Sequence, residues 1–377
     1  MLEVADIFRL HGPQYRERFG ARLLPSHRRA MQDIEQCRTA ALGGQLYFCK
    51  QCQEQRYSYH SCKNRHCPKC GNDQANLWLD QQQQLLLPGP YFLVTFTLPA
   101  ELRPLARSQQ KLLYNLLFRA SSAALLKLAQ DPRFVGGTLG LVGVLQTWTR
   151  DLRYHPHVHY LVTGGGLTAA GNWKASAPNF LVREEPLALI FRAKLRDGLK
   201  KAALLAQVDR RVWKKDWVVD CEPVGSGVAA CKYLAPYIFR VALSNNRLRS
   251  LENGNVTFVY KESATNQVKS CTLPAEKFIG RFLQHVLPPR FIKVRYYGLL
   301  SPSNRHLLQQ ARQLLAGELP PSGHIGQSPM ANQQSAITTE QPPIRNSQSQ
   351  IRNPPPCPHC GNPLTLLRPL KPKARSP

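Results

Sequence analysis

The spacing of apolar residues along the chain predicts both helices and strands. Residues 1 to about 25 are expected to be helical, because apolar side chains recur on one face at Val4, Ile7, Phe8 and Leu10. A second helix is predicted where leucines recur at Leu112, Leu113, Leu116 and Leu117. Further helices are predicted over 72–87, 191–208 and 228–242.

Strands are predicted where β-branched and aromatic residues cluster. The run 91–98 should be a buried strand, and a further strand is predicted over 217–222. Two more strands, over 140–148 and 155–163, are separated by a short turn at 151–153 and should pair as antiparallel neighbours. Strands and helices in this mixed order predict an α+β fold.

Changes in composition divide the chain into four segments. Residues 1–88 form an N-terminal helix and a small zinc-ribbon-like module, which Pro88, Gly89 and Pro90 separate from a larger domain over 89–300. Residues 301–356 are predicted to be a disordered linker, because Pro, Gln, Ser and Asn dominate most of that range. A short cysteine-containing tail follows at 357–377.

The charge of the chain predicts a polyanionic partner. Lys and Arg number 50 against 23 Asp and Glu, which gives a net charge of +27 and favours nucleic acid. No membrane partner is expected, since the N-terminal residues lack the pattern of a signal peptide and prolines interrupt the apolar stretch near 85–98. The expected location is the cytoplasm, in association with the nucleoid, where clustered cysteines bind metal more often than they form disulfides.

Six of the eleven cysteines fall between Cys37 and Cys70. Two Cys-x2-Cys pairs separated by fourteen residues predict a structural Zn²⁺ site with the ligands Cys49, Cys52, Cys67 and Cys70. The alternative is four buried cysteines without metal. A second zinc is a further hypothesis, with ligands from Cys37, Cys62 and His66. The pair Cys357 and Cys360 resembles half of such a site, but no matching half follows it in the sequence, so its metal interpretation is weak.

Basic residues surround the cysteines and predict that this module binds DNA. Aromatic residues alternate with them and offer stacking surfaces. The basic residues predicted to contact DNA phosphates here are Arg28, Arg29, Lys63, Arg65 and Lys69.

Three histidines alternate along one predicted strand, at His155, His157 and His159. Alternate residues of a strand project from one face, so the three imidazoles predict a divalent-metal site. The alternative is a surface cluster of histidines without metal.

Tyr233 and Tyr237 lie four residues apart and would share one face of a helix. Such a pair is usually two packed aromatic residues. Beside a metal site in a basic chain, however, each phenol can serve as a nucleophile toward a phosphate that the metal polarises. Arg240 follows as a further predicted DNA contact.

Together these motifs resemble the rolling-circle transposases of the insertion-sequence ninety-one (IS91) type, which belong to the HUH endonuclease superfamily. His157-Val158-His159 matches the motif that gives the superfamily its name. Similar stretches in the same order are the cysteine segment ending at 61–70, residues 94–99, residues 233–247 and residues 282–288.

The resemblance implies a central antiparallel sheet that carries the histidines and a helix that carries the nucleophilic tyrosine. It implies a metal-dependent DNA endonuclease and strand transferase that acts on single-stranded DNA and transposon ends. A tyrosine attacks a phosphodiester and forms a 5′-phosphotyrosine link, with Mg²⁺ or Mn²⁺ as the cation and no nucleotide cofactor. Pro236 lies between the tyrosines, which leaves open whether one or both are nucleophiles.

The third catalytic metal ligand and the function each have an alternative. His155 is the ligand chosen from strand alternation, and Gln146 on the preceding strand is its rival. A plasmid replication initiator or relaxase would use the same chemistry. A zinc-ribbon DNA-binding regulator would use none, since its histidines and tyrosines would be structural.

Overall fold

The computed structural model describes residues 1–70, 85–226, 229, 241–262, 265–317 and 355–373. The chain divides into two compact units that interleave along the sequence. The first unit contains residues 1–37 and 62–318, and the second contains residues 38–61 and 319–377.

The described residues form the following helices and strands. The strands are β1 (Gly44–Cys49), β2 (Glu54–Tyr59), β3 (Pro90–Thr97), β4 (Thr138–Trp148), β5 (Tyr154–Leu167), β6 (Trp173–Ala175), β7 (Val219–Ser226), β8 (Leu248–Glu252), β9 (Asn255–Lys261), β10 (Val268–Pro274), β11 (Val294–Gly298) and β12 (Thr365–Leu370). The α-helices are α1 (Val4–Phe19), α2 (Pro25–Gln36), α3 (Arg103–Ser108), α4 (Gln110–Ala129), α5 (Glu184–Lys201), α6 (Ala275–Leu283) and α7 (Arg305–Leu315).

A six-stranded antiparallel sheet lies at the centre of the first unit, in the order β11-β4-β5-β3-β7 with β6 paired to β5. β3 is buried on both faces, as its unbroken run of aromatic and β-branched residues predicts. Phe92, Val94 and Phe96 lie in the core on one side, while Tyr91 and Leu93 lie in a separate cluster on the other. The predicted α+β fold with an antiparallel sheet is confirmed.

Helices α4 and α5 contribute to the larger core cluster of this sheet. α4 is rich in leucine and alanine, and it is long and apolar enough to cross a membrane by length and composition. Most of this helix is buried inside the protein, however, with Leu117, Phe118 and Leu125 in the core of the sheet. It therefore has the pattern of a core helix.

A second, three-stranded antiparallel sheet in the first unit has the order β10-β9-β8. Its apolar residues share a core cluster with α1, α2 and α6. The rings of Phe8 and Phe282 meet edge to face at 5.3 Å, which joins α1 to α6. None of β8, β9, β10 and α6 was predicted from apolar spacing.

The second unit contains a three-stranded antiparallel sheet in the order β12-β1-β2. Its central strand pairs on one side with β2 and on the other with a strand more than 300 residues later in the sequence. Tyr47, Cys49, Cys357 and Leu364 form its small buried cluster.

Several predicted boundaries agree with the structure and several do not. The hairpin of β4 and β5 is confirmed, and so are β3 and α4. The helix predicted over 191–208 is α5, which begins earlier, at Glu184, and ends earlier, at Lys201. Leu10 was predicted to lie on the apolar face of the first helix, but its side chain is 66% exposed. α7 occupies part of the segment 301–356 that was predicted to be linker, because leucines at helical spacing pack there beneath the sheet.

Other predictions fall on residues that the structure does not describe. These are most of the helix over 72–87, most of the helix over 228–242 and the linker residues 318–354. The predicted first module, residues 1–88, does not correspond to one unit, because residues 38–61 belong to the second unit and their sequence neighbours belong to the first.

Candidate metal centres and DNA-processing site

His157 and His159 lie on β5 at the centre of the main sheet, and each is 8% exposed. Strand alternation brings them to one face, where their ring centroids are 4.8 Å apart. The ring of His155 follows on the same face, 5.2 Å from the ring of His157. The three imidazoles therefore share one face, as strand alternation predicts.

A hydrogen bond to the backbone determines which ring nitrogen of His157 carries the proton. Its Nδ1 lies 2.6 Å from the carbonyl oxygen of His155, and a carbonyl can only accept, so Nδ1 donates. In the neutral ring, this leaves the lone pair on Nε2. Burial lowers the pKa of His157 to about 4, so the ring is neutral near pH 7. The Nδ1 of His159 is hydrogen-bonded to Thr95 Oγ1 at 2.9 Å, which orients that ring as well.

His155 has a different environment from the other two histidines. Its Nδ1 lies 2.7 Å from a guanidinium nitrogen of Arg103, which can only donate, so Nδ1 accepts. The neutral ring then carries its proton on Nε2, and neither nitrogen offers a lone pair to a metal. Burial and the nearby charge of Arg103 lower the pKa of His155 to about 4, which keeps this neutral form.

The three histidines also do not converge on one point. Among the described residues, the sets of three or more His, Cys, Asp or Glu ligand atoms within 4.8 Å of one another are two cysteine clusters, and neither includes a histidine. The predicted ligand set of His155, His157 and His159 is therefore not assembled in this structure. In addition, Arg103 donates to the Nδ1 of His155, so that nitrogen has no lone pair left for a metal.

Gln146, the rival candidate for the third ligand, has a different environment from His155. It lies on β4 directly opposite His157, so its side chain points to the same face of the sheet. The residue is only 5% exposed, and its buried Nε2 finds no hydrogen-bond partner among the described residues. A buried amide of this kind normally has a partner, and its oxygen is a suitable ligand for Mg²⁺.

A cavity of about 600 Å³ opens beside these side chains. Besides Gln146 and the three histidines, three cationic residues line it: Arg150, Arg247 and Lys261. Arg150 donates to the backbone carbonyl of Lys261 at 3.0 Å, and Arg247 donates to the carbonyl of Val259 at 2.8 Å. The positive lining suits a phosphodiester backbone. The sequence analysis assigned no role to these three residues, because they come from separate loops and strands, although Arg247 ends the matching stretch 233–247.

The predicted nucleophiles Tyr233 and Tyr237 lie outside the described residues, and so does Arg240. The described chain resumes at Val241, which itself lines the cavity beside the histidines.

The first cysteine cluster contains Cys37, Cys62, Cys67 and Cys70 and lies in the first unit. The Sγ atom of Cys70 is 3.5 Å from that of Cys37 and 3.6 Å from that of Cys62. Tetrahedral ligands at a Zn–S distance of about 2.3 Å would lie about 3.8 Å apart, so the four thiols fit a zinc ion. Cys37, Cys67 and Cys70 are buried within the same apolar cluster as α1, α2 and α6. Such a closed, four-thiolate site stabilises the fold and has no position for substrate.

The predicted zinc quartet is divided in the structure. Cys67 and Cys70 belong to the first cluster, whereas Cys49 and Cys52 lie with Cys357 and Cys360 in the second unit. The spacing predicted the two Cys-x2-Cys turns, but it carried no information about which turns meet in space. The suggestion of a second zinc held by Cys37, Cys62 and His66 also changes, because both cysteines complete the first cluster.

His66 has a structural role in place of the suggested zinc ligation. Its Nε2 accepts a hydrogen bond from the backbone N–H of Leu287 at 3.2 Å. Burial, with nearby positive charge, lowers its pKa to about 3, so the ring stays neutral and able to accept.

The predicted DNA contacts of the cysteine module divide into two groups. Arg28, Arg29 and Lys63 are exposed. Arg65 donates to the backbone carbonyl of Phe291 at 2.6 Å, and Lys69 forms an ion pair with Glu3 at 2.5 Å. The side chains of Arg65 and Lys69 therefore hold parts of the first unit together. Arg28 donates to the backbone carbonyl of Gly20 at 2.5 Å, and Arg29 lies 3.6 Å from the carboxylate of Asp33, so these two exposed side chains also have partners within the chain.

Comparison with known proteins identifies two family models along the chain. Residues 7–98 match a model described as "Transposase zinc-binding domain", and residues 140–307 match one described as "Putative transposase". The first match includes the cysteines of the first cluster, and the second includes Gln146 and the histidines.

Two curated proteins are similar over most of the chain. "Putative transposase y4qJ" of Sinorhizobium fredii is 39% identical over 340 residues, which cover 84% of this chain and 85% of the relative. "Transposase for insertion sequence element IS801" of Pseudomonas savastanoi pv. phaseolicola is 29% identical over 282 residues, covering 70% of this chain and 68% of the relative. No solved structure matches the chain.

Proposed function

We propose that this chain, which belongs to the IS91-type family of transposases, nicks and rejoins single-stranded DNA. The reaction would pass through a 5′-phosphotyrosine intermediate in rolling-circle transposition. The observation that carries this proposal is the pair of buried histidines, His157 and His159, at a cavity lined by cationic residues. Phosphoryl transfer requires a site that binds a polyanion and stabilises the charge that develops on it. This cavity has residues for both tasks.

A divalent cation, Mg²⁺ or Mn²⁺, would be held by His157, His159 and Gln146. When bound there, it would withdraw charge from the scissile phosphate. Arg150, Arg247 and Lys261 would bind the flanking phosphates and hold the strand in line for attack. Thr95 would keep the ring of His159 in place through its hydrogen bond.

Tyr233 and Tyr237 would supply the nucleophile. Four residues of chain span at most about 14 Å, so the connection through Val241 allows Tyr237 to reach the cavity. The phenolic oxygen would bond to the phosphorus and the 3′ oxygen of the preceding nucleotide would leave as a hydroxyl. The phosphotyrosine bond keeps the energy of the broken phosphodiester, so rejoining needs no nucleotide cofactor.

The part of the first unit around the first cysteine cluster, here called the zinc-binding module, would recognise the DNA of the transposon end. The four thiols of the first cluster fold α1, α2 and α6 around one zinc, and Arg28, Arg29 and Lys63 remain exposed on that module. We place the reaction in the cytoplasm, in association with the nucleoid, where this DNA lies.

The nucleophiles are tested with single-stranded oligonucleotides of a transposon end and Mg²⁺ or Mn²⁺. The wild type should become covalently attached to an oligonucleotide labelled at its 3′ end, and a 5′ label should instead appear on a shorter free fragment. Tyr233→Phe or Tyr237→Phe should reduce the attachment, and the double variant should abolish it. Tyr260→Phe removes a hydroxyl outside the cavity lining and should behave like the wild type.

Covalent attachment that survives in the double variant would overturn the assignment of the nucleophiles. DNA binding without any metal-dependent nicking by the wild type would instead favour a regulator that only binds DNA. A replication initiator or relaxase would nick in the same way, but it would not move DNA placed between two transposon ends.

A further inference from the structure

The geometry points to a second structural zinc site, formed by Cys49 and Cys52 of the β1–β2 hairpin with Cys357 and Cys360 of the C-terminal segment. The two pairs are separated by more than 300 residues, and neither family model extends to the C-terminal pair. The site lies entirely within the second unit.

The distances between sulfur atoms fit tetrahedral zinc. The Sγ atoms of Cys49 and Cys360 are 3.5 Å apart, those of Cys52 and Cys357 are 3.9 Å apart, and all four lie within 4.8 Å of one another. These values lie close to the spacing of about 3.8 Å expected around a zinc with four thiolates.

The backbone around each cysteine pair adopts the same turn. Gln53 follows the first pair, has φ of 56°, and donates its N–H to the carbonyl of Cys49 at 2.8 Å. Gly361 follows the second pair, has φ of 76°, and donates to the carbonyl of Cys357 at 2.9 Å. Two equivalent turns that face each other supply two thiolates each, and a closed zinc site requires this arrangement.

The sheet of the second unit fixes the two turns relative to each other. β12 follows the second turn and pairs antiparallel with β1, which leads into the first turn. Gly43, just before β1, allows the backbones of the two strands to lie close together. It has φ of 67°, and a Cβ at this position would lie only 2.5 Å from the carbonyl oxygen of Leu370. The four thiols therefore meet through an ordered sheet.

The ligand set identifies the metal class and the role of the site. Four soft thiolates in tetrahedral arrangement favour Zn²⁺, and no position remains for water or substrate. The zinc would attach the segment 355–373 to the β1–β2 hairpin. Cys49 and Cys357 are buried, whereas Cys360 is exposed, so this zinc should exchange faster than the zinc of the first cluster.

The test measures zinc bound per chain in the purified full-length protein. The wild type should contain two zinc ions. Cys357→Ser combined with Cys360→Ser should contain one, and so should Cys49→Ser combined with Cys52→Ser. The variant with all four substitutions should also contain one, since both pairs hold the same ion. Cys271→Ser changes a cysteine outside both clusters and should retain two.

A second measurement needs no substitution and covers the case in which the variants fail to fold. Cadmium-113 bound to the wild type should give two NMR resonances in the region of four-thiolate sites. A wild type with one zinc and one resonance would overturn the proposal, and so would a Cys357→Ser, Cys360→Ser variant with two zinc ions. Neither measurement uses DNA, so its outcome is independent of the proposed strand transfer.

Discussion

The three histidines of β5 have the same side chain but different hydrogen-bond partners, and these partners distinguish their roles. Alternation along the strand was sufficient to predict that they share one face. The contacts that distinguish them come from elsewhere: Arg103 binds His155, whereas Thr95 orients His159. Arg103 lies 52 residues before its partner in the sequence, so strand periodicity could not indicate that His155 is already occupied.

Substitutions of Gln146 and His155 test which of the two residues is the third metal ligand. Gln146→Ala should raise the Mn²⁺ concentration needed for half-maximal nicking by at least about 10-fold, because one ligand oxygen is lost. His155→Ala should leave that concentration unchanged within about 2-fold, since the hydrogen bond from Arg103 leaves neither nitrogen of its neutral ring a lone pair for a metal. Nicking assays over a range of Mn²⁺ concentrations measure both. The reverse order of effects would restore His155 as the ligand and exclude Gln146.

His157→Ala with His159→Ala provides the reference for these single changes. This double variant should lose nicking while its affinity for single-stranded DNA stays close to that of the wild type, because the cationic residues of the cavity remain. Retained nicking would remove the metal role from both histidines.

At the level of elements, the sequence predicted the parts of each zinc site but not their partners. The spacing of two residues between cysteines is a local property of a tight turn, so the three Cys-x2-Cys pairs were all recognised. The meeting of Cys49 and Cys52 with Cys357 and Cys360 depends on the pairing of β1 with β12, and β12 lies beyond a long segment rich in Pro and Gln. The small sheet β8-β9-β10 was not predicted, although Val256 and Phe258 alternate along β9 with their side chains buried.

Gly43 offers a test of the pairing between β1 and β12. Gly43→Ala should loosen β12, because alanine at φ of 67° costs about 1 kcal/mol and its Cβ would displace the Leu370 carbonyl. Hydrogen exchange of the backbone amides of residues 365–370 should become faster, as measured by mass spectrometry. Gly254→Ala is the matched control, since Gly254 has φ of 73° but open space where the Cβ would lie. Equal protection of this peptide in both variants would show that the close approach does not hold the strand.

At the scale of the whole molecule, the α+β class and a DNA partner could be predicted from the sequence, whereas the division into two units could not. Periodicity and composition act along the sequence, so they placed residues 1–88 in one module. The structure instead assigns residues 38–61 to the unit that contains the C-terminal segment. A contact between distant segments cannot be recognised from the apolar periodicity or the composition of either segment.

The net charge of +27 predicts DNA binding that depends strongly on salt. With about six phosphate contacts, the logarithm of the affinity for single-stranded DNA should fall with the logarithm of salt concentration at a slope of about −4. This corresponds to a loss of about 300-fold between 50 and 200 mM salt. Fluorescence anisotropy with a labelled oligonucleotide measures the slope. A slope near zero would mean that the basic residues do not contact the backbone.

The pairing of β1 with β12 also sets the order in which the protein can be completed during synthesis. At about 5–20 residues per second, a ribosome needs roughly 15 to 60 s to pass from one strand to the other. Throughout that interval, the edge of β1 that β12 will cover has no partner from its own chain, and such an edge can pair with other chains. Over the same interval, Cys49 and Cys52 lack the other two cysteines of their cluster, Cys357 and Cys360. The second unit is therefore the last part of the molecule to close, and its folding depends on every residue between its two halves having been translated.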